Sequence, residues 1–168
     1  DMEYANELGY IVRLLGISSY DASGIRQRVH PCLVAKDSPI ASVCGAYNAV
    51  QVEADPVGTL FIEGLGAGAG PTASAVVADI MDIARGTRYL PLTLPAHAVK
   101  PARVAAMDSL RTAYFVRMDV VDKSGVLADI TSVFGELGIS LKSFIQHGGQ
   151  SGDVVQVVIC THETDEAS

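Results

Sequence analysis

A glycine-rich turn is the first part of the sequence whose residue types suit a ligand site. Glycines recur at alternate positions from 64 to 70, between a strand-like segment and the helical pattern of residues 71–86. Glycine lets a backbone approach a ligand closely, and the N–H groups at a helix start favour an anion or a nucleotide. The alternative is a turn that only lets the helix pack on the sheet. Gly64-x-Gly66-x-x-Ala69 fits the dinucleotide fingerprint loosely and lacks a preceding βαβ unit, so both possibilities stay open.

A second turn of this kind runs Asp-Lys-Ser-Gly over residues 122–125, between a strand-like segment and a helical pattern. A small zwitterion could place its carboxylate on the amides at the start of that helix. The alternative is a tight turn in which Asp122 serves as the cap.

The other polar side chains suggest no catalytic set. No nucleophile, base and orienting group can be named from spacing, and His30 has no second ligand nearby, so we expect a structural histidine. Arg26 and Arg28 share one strand face, which we expect to be solvated or an interface. For the carboxylates Asp79 and Asp82 we expect a solvated helix face.

Three cysteines lie far apart, with no Cys-x-x-Cys motif. This spacing argues against a disulfide framework and against a zinc site, and we expect no metal. The favoured interpretation is a small buried apolar side chain at each of Cys32, Cys44 and Cys160.

Residues 1–86 alternate between strand and helix patterns. A short helix ends near Gly9; strands follow over 11–17 and 25–30, where Pro31 predicts a strand edge or end. Ser38 and Pro39 suit a helical turn, and two more strands, 49–53 and 59–63, precede the helix 71–86. The result is about four antiparallel strands with covering helices.

Residues 87–111 contain three prolines and little periodicity, which predicts an extended linker. Residues 112–168 then follow the order strand (113–121), helix from Val126 to Gly138, strand (139–145) and strand (154–160). This order supplies three strands and one helix of a ferredoxin-like sandwich. The predicted class is therefore α+β, a mostly antiparallel sheet with covering helices followed by a smaller, partial ferredoxin-like domain.

Composition narrows the function. The 168 residues are 49% hydrophobic and carry a formal charge of −7, which argues against a nucleic-acid partner. No apolar run approaches the roughly 18 residues of a membrane span, and no signal peptide begins the chain, so we expect a soluble cytoplasmic protein and no membrane partner. The chain starts at Asp1 within a helical pattern and stops at Ser168 before the sandwich is complete, which predicts a piece of a longer polypeptide.

Two sets of motifs resemble known families. The first unit resembles the C-terminal part of the homoserine dehydrogenase catalytic region, through the residues 1–10, 14–17, Val29-His30-Pro31, Phe61-x-x-Gly64-Leu65-Gly66-Ala67-Gly68 and 71–80. The second unit is similar to an ACT domain, through Asp122-x-x-Gly125-Val126-Leu127-x-x-Ile130, Phe134, Gly138-Ile139-Ser140 and Gln146. The implied order is residues 1–86 as the catalytic and dimerisation segment, 87–111 as a linker and 112–168 as an ACT domain incomplete at its C-terminus.

The first resemblance implies NAD- or NADP-dependent interconversion of L-homoserine and L-aspartate 4-semialdehyde. It places the Rossmann domain and the catalytic lysine upstream of Asp1, so no catalytic residue falls in this chain and the chain alone should be inactive. The implied cofactor contacts are Gly68, Gly66, Ala67 and Thr72. The resemblance also implies a homo-oligomer formed through the antiparallel sheet and the ACT domain.

The second resemblance implies feedback control by an amino acid, with threonine as the expected effector. The implied effector-binding residues are Asp122, Ser124, Gly125, Val126, Leu127, Ile139, Ser140 and Gln146. An alternative function is a stand-alone, amino-acid-binding ACT regulator without catalysis, in which residues 1–86 serve only to oligomerise.

Overall fold

The computed structural model of the protein describes residues 1–88 and 94–167. In chain order the elements are α1 (Met2–Glu7), β1 (Tyr10–Asp21), β2 (Gly24–Ala35), α2 (Pro39–Ser42), β3 (Tyr47–Ala54), β4 (Gly58–Leu65), α3 (Ala69–Ala84), β5 (Arg111–Thr112), β6 (Phe115–Val121), α4 (Val126–Glu136), β7 (Leu141–Gln146), β8 (Val154–Thr161) and β9 (Thr164–Asp165). Short 3-10 helices span Ala96–Ala98 and Met107–Ser109. The predicted α+β class with mostly antiparallel sheets is confirmed.

Strands β1 and β2 form a two-stranded sheet of their own. Of the two alternatives predicted for Pro31, the strand end is wrong, because β2 continues through this residue to Ala35, and the strand edge agrees with the two-stranded sheet. A proline has no N–H to donate to a neighbouring strand, and the open edge of a two-stranded sheet tolerates that loss.

The segment around Arg103 pairs with the start of β2. The N–H of Ile25 donates to the Arg103 carbonyl at 2.8 Å, and the N–H of Ala105 donates to the Ile25 carbonyl at 2.9 Å. Gly24 has a φ of +126°, and a Cβ there would lie 2.3 Å from the Arg103 carbonyl oxygen. The prediction of an unpacked linker is therefore wrong at residues 103–105, while residues 89–93 of that linker lie outside the described residues.

The chain divides into two compact units, Asp1–Leu33 with Arg103–Ser168, and Val34–Ala102. The pairing of residues 103–105 with Ile25 explains why the first unit is built from two separate stretches of sequence. The predicted domain borders at residues 86 and 112 were placed from sequence motifs and not from contacts in the folded chain. These borders stay a prediction.

In the second unit, β3 and β4 form an antiparallel hairpin followed by α3. Apolar residues face each other across the strands, as in the pair Val50–Ile62. The four predicted N-terminal strands thus form two separate hairpins among the described residues. The apolar side chains of α3, which the pattern predicted on one face, are exposed: Val76 by 53% and Ile80 by 58%.

The first unit also contains a three-stranded antiparallel sheet in the order β6-β8-β7. The central strand β8 supplies its core, since Val157, Val158 and Ile159 are each at most 1% exposed. This unbroken apolar run is typical of a strand buried on both faces. Within the described residues, no helix has both the length and the apolar character needed to cross a bilayer.

Asp21 organises the turn between β1 and β2. Its carboxylate accepts hydrogen bonds from Ser23 and from the buried Arg26, whose Nη1 lies 2.5 Å from Oδ2. These hydrogen bonds hold the pKa of Asp21 well below its ordinary value. Of the two alternatives expected for this strand face, solvated or interface, the solvated one is wrong for Arg26, because the carboxylate five residues earlier allows the guanidinium to be buried.

We expect Asp21→Asn to lower the temperature of unfolding at pH 7, because Arg26 then faces a neutral amide. A carboxyl whose pKa is lowered by folding stabilises the fold above its unfolded-state pKa of about 3.9, and this contribution is lost as the pH falls toward the folded-state value. The difference in unfolding temperature between wild type and variant should therefore become smaller as the pH falls from 4 to 2. Thermal unfolding followed by circular dichroism measures this difference. Asp37→Asn, at an exposed carboxylate, is the control. A difference in unfolding temperature that stays constant across this range would contradict a stabilising ion pair between Asp21 and Arg26.

Candidate functional site

Gly68 occupies a backbone conformation that only glycine adopts readily. It is the N-cap of α3, with φ +125° and ψ 155°, and its carbonyl accepts a hydrogen bond from the Thr72 N–H at 3.1 Å. A side chain there would be strained whatever the surrounding space. The nearest atom to a Cβ at this position is Pro71 Cδ at 3.5 Å, an ordinary contact.

Gly66 is favoured for a different reason, which is a contact within the chain. A Cβ at this position would fall 1.7 Å from Nδ2 of Asn48, and the Gly66 N–H donates to the Ala46 carbonyl at 3.1 Å. The absence of a side chain thus lets the turn close against the start of β3. This glycine by itself is no evidence for a ligand.

The turn as a whole is open. Residues 64–70 are exposed, as is Thr72, and a Cβ at Gly64 or Gly70 would meet no atom within 4 Å. Among the described residues, the Pro71 ring supplies the atoms within 4 Å of a Cβ at Gly68. The four residues predicted to contact a cofactor share this exposed corner at the start of α3, and their role stays a prediction.

A cavity of about 300 Å³ lies at the start of α4. Six of the eight residues predicted to bind an effector line it: Asp122, Ser124, Gly125, Val126, Leu127 and Gln146. Five further lining residues were not predicted: Val120, Val121, Lys123, Ile130 and Val157. Of these, Ile130 could have been found from the sequence, since it lies three residues after Leu127 and so on the same helix face.

The turn that forms this cavity is held on both sides. The Asp122 N–H donates to the Asp153 carbonyl and the Gly152 N–H donates to the Asp122 carbonyl, both at 2.8 Å. Gly125 adopts the left-handed conformation, with φ +97°, and begins α4 as its N-cap. The cavity combines a carboxylate, an ammonium group and a hydroxyl at this turn with an apolar wall formed by Ile130 and Val157. Such a lining suits a small amphiphilic zwitterion.

Ile139 and Ser140 do not line this cavity. They precede β7 at the end opposite to Gln146, so the expectation that they lie on that strand is wrong. The Ile139 N–H donates to the Phe134 carbonyl, and the Ser140 carbonyl accepts from His162, both at 2.8 Å. A strand of six residues spans roughly 20 Å, which separates these two residues from the cavity.

A second cavity, of about 360 Å³, lies in the same unit and was not predicted. It is lined by Ile17, Ser19, Asp21, Arg26, Arg28, Leu110 and Arg111. Its charges already have partners. Arg26 pairs with Asp21, Arg111 lies 3.4 Å from Asp165, and Arg28 Nε donates to Nε2 of His30 at 3.1 Å.

The three cysteines differ in their surroundings. Cys160 is buried and Cys32 is half-buried, and burial raises the pKa of both thiols. Cys44 is exposed, so its predicted burial is wrong. In the described part of the chain no three His, Cys, Asp or Glu side chains are grouped so as to hold a metal ion.

The family models match two separate parts of the chain. Residues 1–81 match the homoserine dehydrogenase model, and residues 114–168 match the ACT domain model. Similar curated proteins include the homoserine dehydrogenases of Neisseria gonorrhoeae (41% identity) and Synechocystis (38% identity), with matches that cover 99% of this chain and 40% of each relative. The chain thus spans about 40% of the length of these relatives.

Solved structures agree with these matches. A homoserine dehydrogenase from Thiobacillus denitrificans superposes with a TM-score of 0.80 at 40% identity, over 99% of this chain and 38% of that chain. A homoserine dehydrogenase from S. aureus superposes with a TM-score of 0.67 at 25% identity, over 100% of this chain and 39% of that chain. Both predicted resemblances are therefore confirmed.

We expect Gly66→Ala to destabilise the chain by about 0.5 kcal/mol, because the new methyl group forces the exposed Asn48 side chain away from the Ala46 carbonyl. In an Asn48→Ala background the same substitution should cost little, since the atoms it would meet are gone. Urea unfolding of the four proteins measures this coupling. An equal cost in both backgrounds would contradict the assigned contact.

Proposed function

We propose that this chain, which joins a homoserine dehydrogenase segment to an ACT domain, is the cofactor-facing and regulatory part of a homoserine dehydrogenase. The enzyme would interconvert L-homoserine and L-aspartate 4-semialdehyde with NAD or NADP, in the biosynthesis of threonine and methionine. The observation that carries the proposal is the exposed backbone at Gly68, held in a glycine-only conformation within the segment matched by the family model. The curated relatives with this segment are named homoserine dehydrogenases.

The residues around Gly68 fit one edge of a dinucleotide. A Cβ at Gly68 would project into space where only Pro71 lies within 4 Å, so a ligand could approach this backbone closely. Gly66, Ala67 and Thr72 would complete the contact surface. The bound nicotinamide would accept or donate the hydride, and we assign no catalytic residue to this chain. Its part is to bind and orient the dinucleotide.

The exposed apolar residues support assembly of the protein as a homo-oligomer. In the β3–β4 hairpin, Val50 is 59% exposed and Ile62 is 64% exposed. Apolar strand faces of this extent are typical of surfaces that become buried in an interface. We assign the subunit contacts to the antiparallel strands and to the ACT domain, and the working compartment to the cytoplasm.

The cavity at α4 supports feedback control by threonine. Lys123 offers a cation for the carboxylate of an amino acid, and the amides at the start of α4 favour the same group. Asp122 offers an anion for the ammonium group, and Ser124 and Gln146 offer hydrogen bonds to a side-chain hydroxyl. The apolar wall would contact the threonine methyl group.

Cofactor contact predicts a specific effect of Gly68→Val in a homoserine dehydrogenase that contains this chain. A branched side chain would block close approach of the dinucleotide, so the KM for NAD(P)H should rise about ten-fold or more, the scale of losing one or two polar contacts. Gly70→Ala is the control, since a Cβ at Gly70 meets open space. A folded Gly68→Val enzyme with unchanged cofactor KM would overturn the proposed contact.

Effector binding predicts opposite outcomes for two serine-to-alanine substitutions. Titration calorimetry of the chain with L-threonine should detect binding, and Ser124→Ala should weaken it about five-fold, as expected for one lost hydrogen bond. Ser140→Ala should leave the dissociation constant unchanged, because Ser140 lies outside the cavity. L-Methionine and L-valine test the specificity. The absence of binding heat at millimolar threonine would contradict threonine control. If Ser140→Ala weakened binding and Ser124→Ala did not, the effector would bind outside the α4 cavity.

A further inference from the structure

The three-stranded ACT sheet has a buried residue on each face. Val120, Gln146 and Val157 line the cavity beneath α4 and mark one face. Side chains alternate along a strand, so Val158 and its cross-strand neighbour Arg117 mark the opposite face. Val158 is 1% exposed. The face away from α4 is therefore covered as well.

The N-terminal segment, residues 1–10, lies against this opposite face. Arg117 Nη1 on β6 is 2.7 Å from Asp1 Oδ1. Lys142 Nζ on β7 donates to the Tyr10 hydroxyl at 2.9 Å and lies 5.6 Å from the centre of the same ring. Ala5, in the middle of α1, is 1% exposed. Asp1 and Tyr10, on either side of α1, thus contact two strands of the ACT sheet.

A third contact joins α1 to the end of β7. The ring of His147 stacks on Tyr4, with 5.2 Å between ring centres and an angle of 25°. Nε2 of His147 lies 2.9 Å from Oε2 of Glu7. His147 directly follows Gln146, which lines the cavity. One peptide bond therefore separates a residue of the cavity wall from a residue held by α1.

We propose that His147 is a positioning residue that couples occupancy of the α4 cavity to the docking of α1. The proposal rests on the proposed effector site. A ligand that contacts Gln146 changes the position of the chain at the end of β7, and the ring of His147 moves with it. Tyr4 and Glu7 respond to this position through the ring stack and through the contact between Glu7 Oε2 and His147 Nε2. Coupling of this kind is reciprocal, so contacts at α1 also affect affinity for the ligand.

The contacts of Arg117 with Asp1 and of Lys142 with Tyr10 differ from that of His147 in their distance from the cavity. Neither Arg117 nor Lys142 lines the cavity, and none of their immediate neighbours in sequence does. They hold the N-terminal segment without a direct connection to the ligand. Tyr10→Phe, which removes the hydroxyl that Lys142 contacts, is therefore the matched control for loss of docking alone.

The test is hydrogen exchange of the α1 amides in the 168-residue chain, with and without saturating L-threonine. In the wild type, threonine should change the exchange rates of α1 about three-fold or more. His147→Ala should abolish that response and change the threonine dissociation constant about two- to five-fold, the range of an exposed contact. Tyr10→Phe should retain the response. A full response in His147→Ala would overturn the coupling.

A different result separates this inference from the effector proposal. If threonine does not bind the wild-type chain, the proposal of threonine control is wrong. The coupling can then be tested with Gln146→Phe, whose larger side chain fills the cavity without a ligand. The coupling predicts altered α1 exchange in Gln146→Phe and no such change when His147→Ala is added. Unaltered α1 exchange in Gln146→Phe, in a chain whose circular dichroism matches the wild type, would overturn it.

Discussion

Burial of β8 on both faces is the constraint on which the first unit depends. A central strand with Val157, Val158 and Ile159 needs an apolar cover above and below, because exposure of any of these side chains would cost about 1.5–3 kcal/mol. Helix α4 covers one face, and the N-terminal segment contacts the other. The ACT sheet is thus stabilised in part by residues of the segment that matches the homoserine dehydrogenase model. The cavity at α4 and this segment lie on opposite faces of a single layer of strands.

The turns before α3 and α4 contain glycine for different physical reasons. Gly66 leaves room for Asn48, whereas Gly68 and Gly125 supply backbone conformations at helix starts that other residues avoid. Only the latter two lie beside open space that a ligand could enter. Glycine spacing in the sequence therefore could not by itself distinguish a packing contact from a ligand contact.

Much of the fold could be predicted because its signals are local. The apolar run 157–160 of β8, the helical spacing of α4 and the turn before it are all visible within about ten residues of sequence. Ile139 and Ser140 were misplaced because β7 begins only at Leu141, and the resemblance carries no information about that offset. The burial of Arg26 and the pairing of Ile25 with Val104 were missed for a common reason. Each depends on a partner whose position is fixed by the folded chain and not by periodicity.

The separation in sequence between α1 and the sheet it contacts has a consequence for synthesis of the protein. A six-residue helix is too short to persist alone in water. The residues that the N-terminal segment contacts, Lys142 on β7 and His147, are synthesised only about 130 residues later, roughly 7 to 26 seconds at ordinary rates of translation. The N-terminal segment therefore cannot adopt its final contacts until the ACT sheet has been made, about 130 residues after the segment itself.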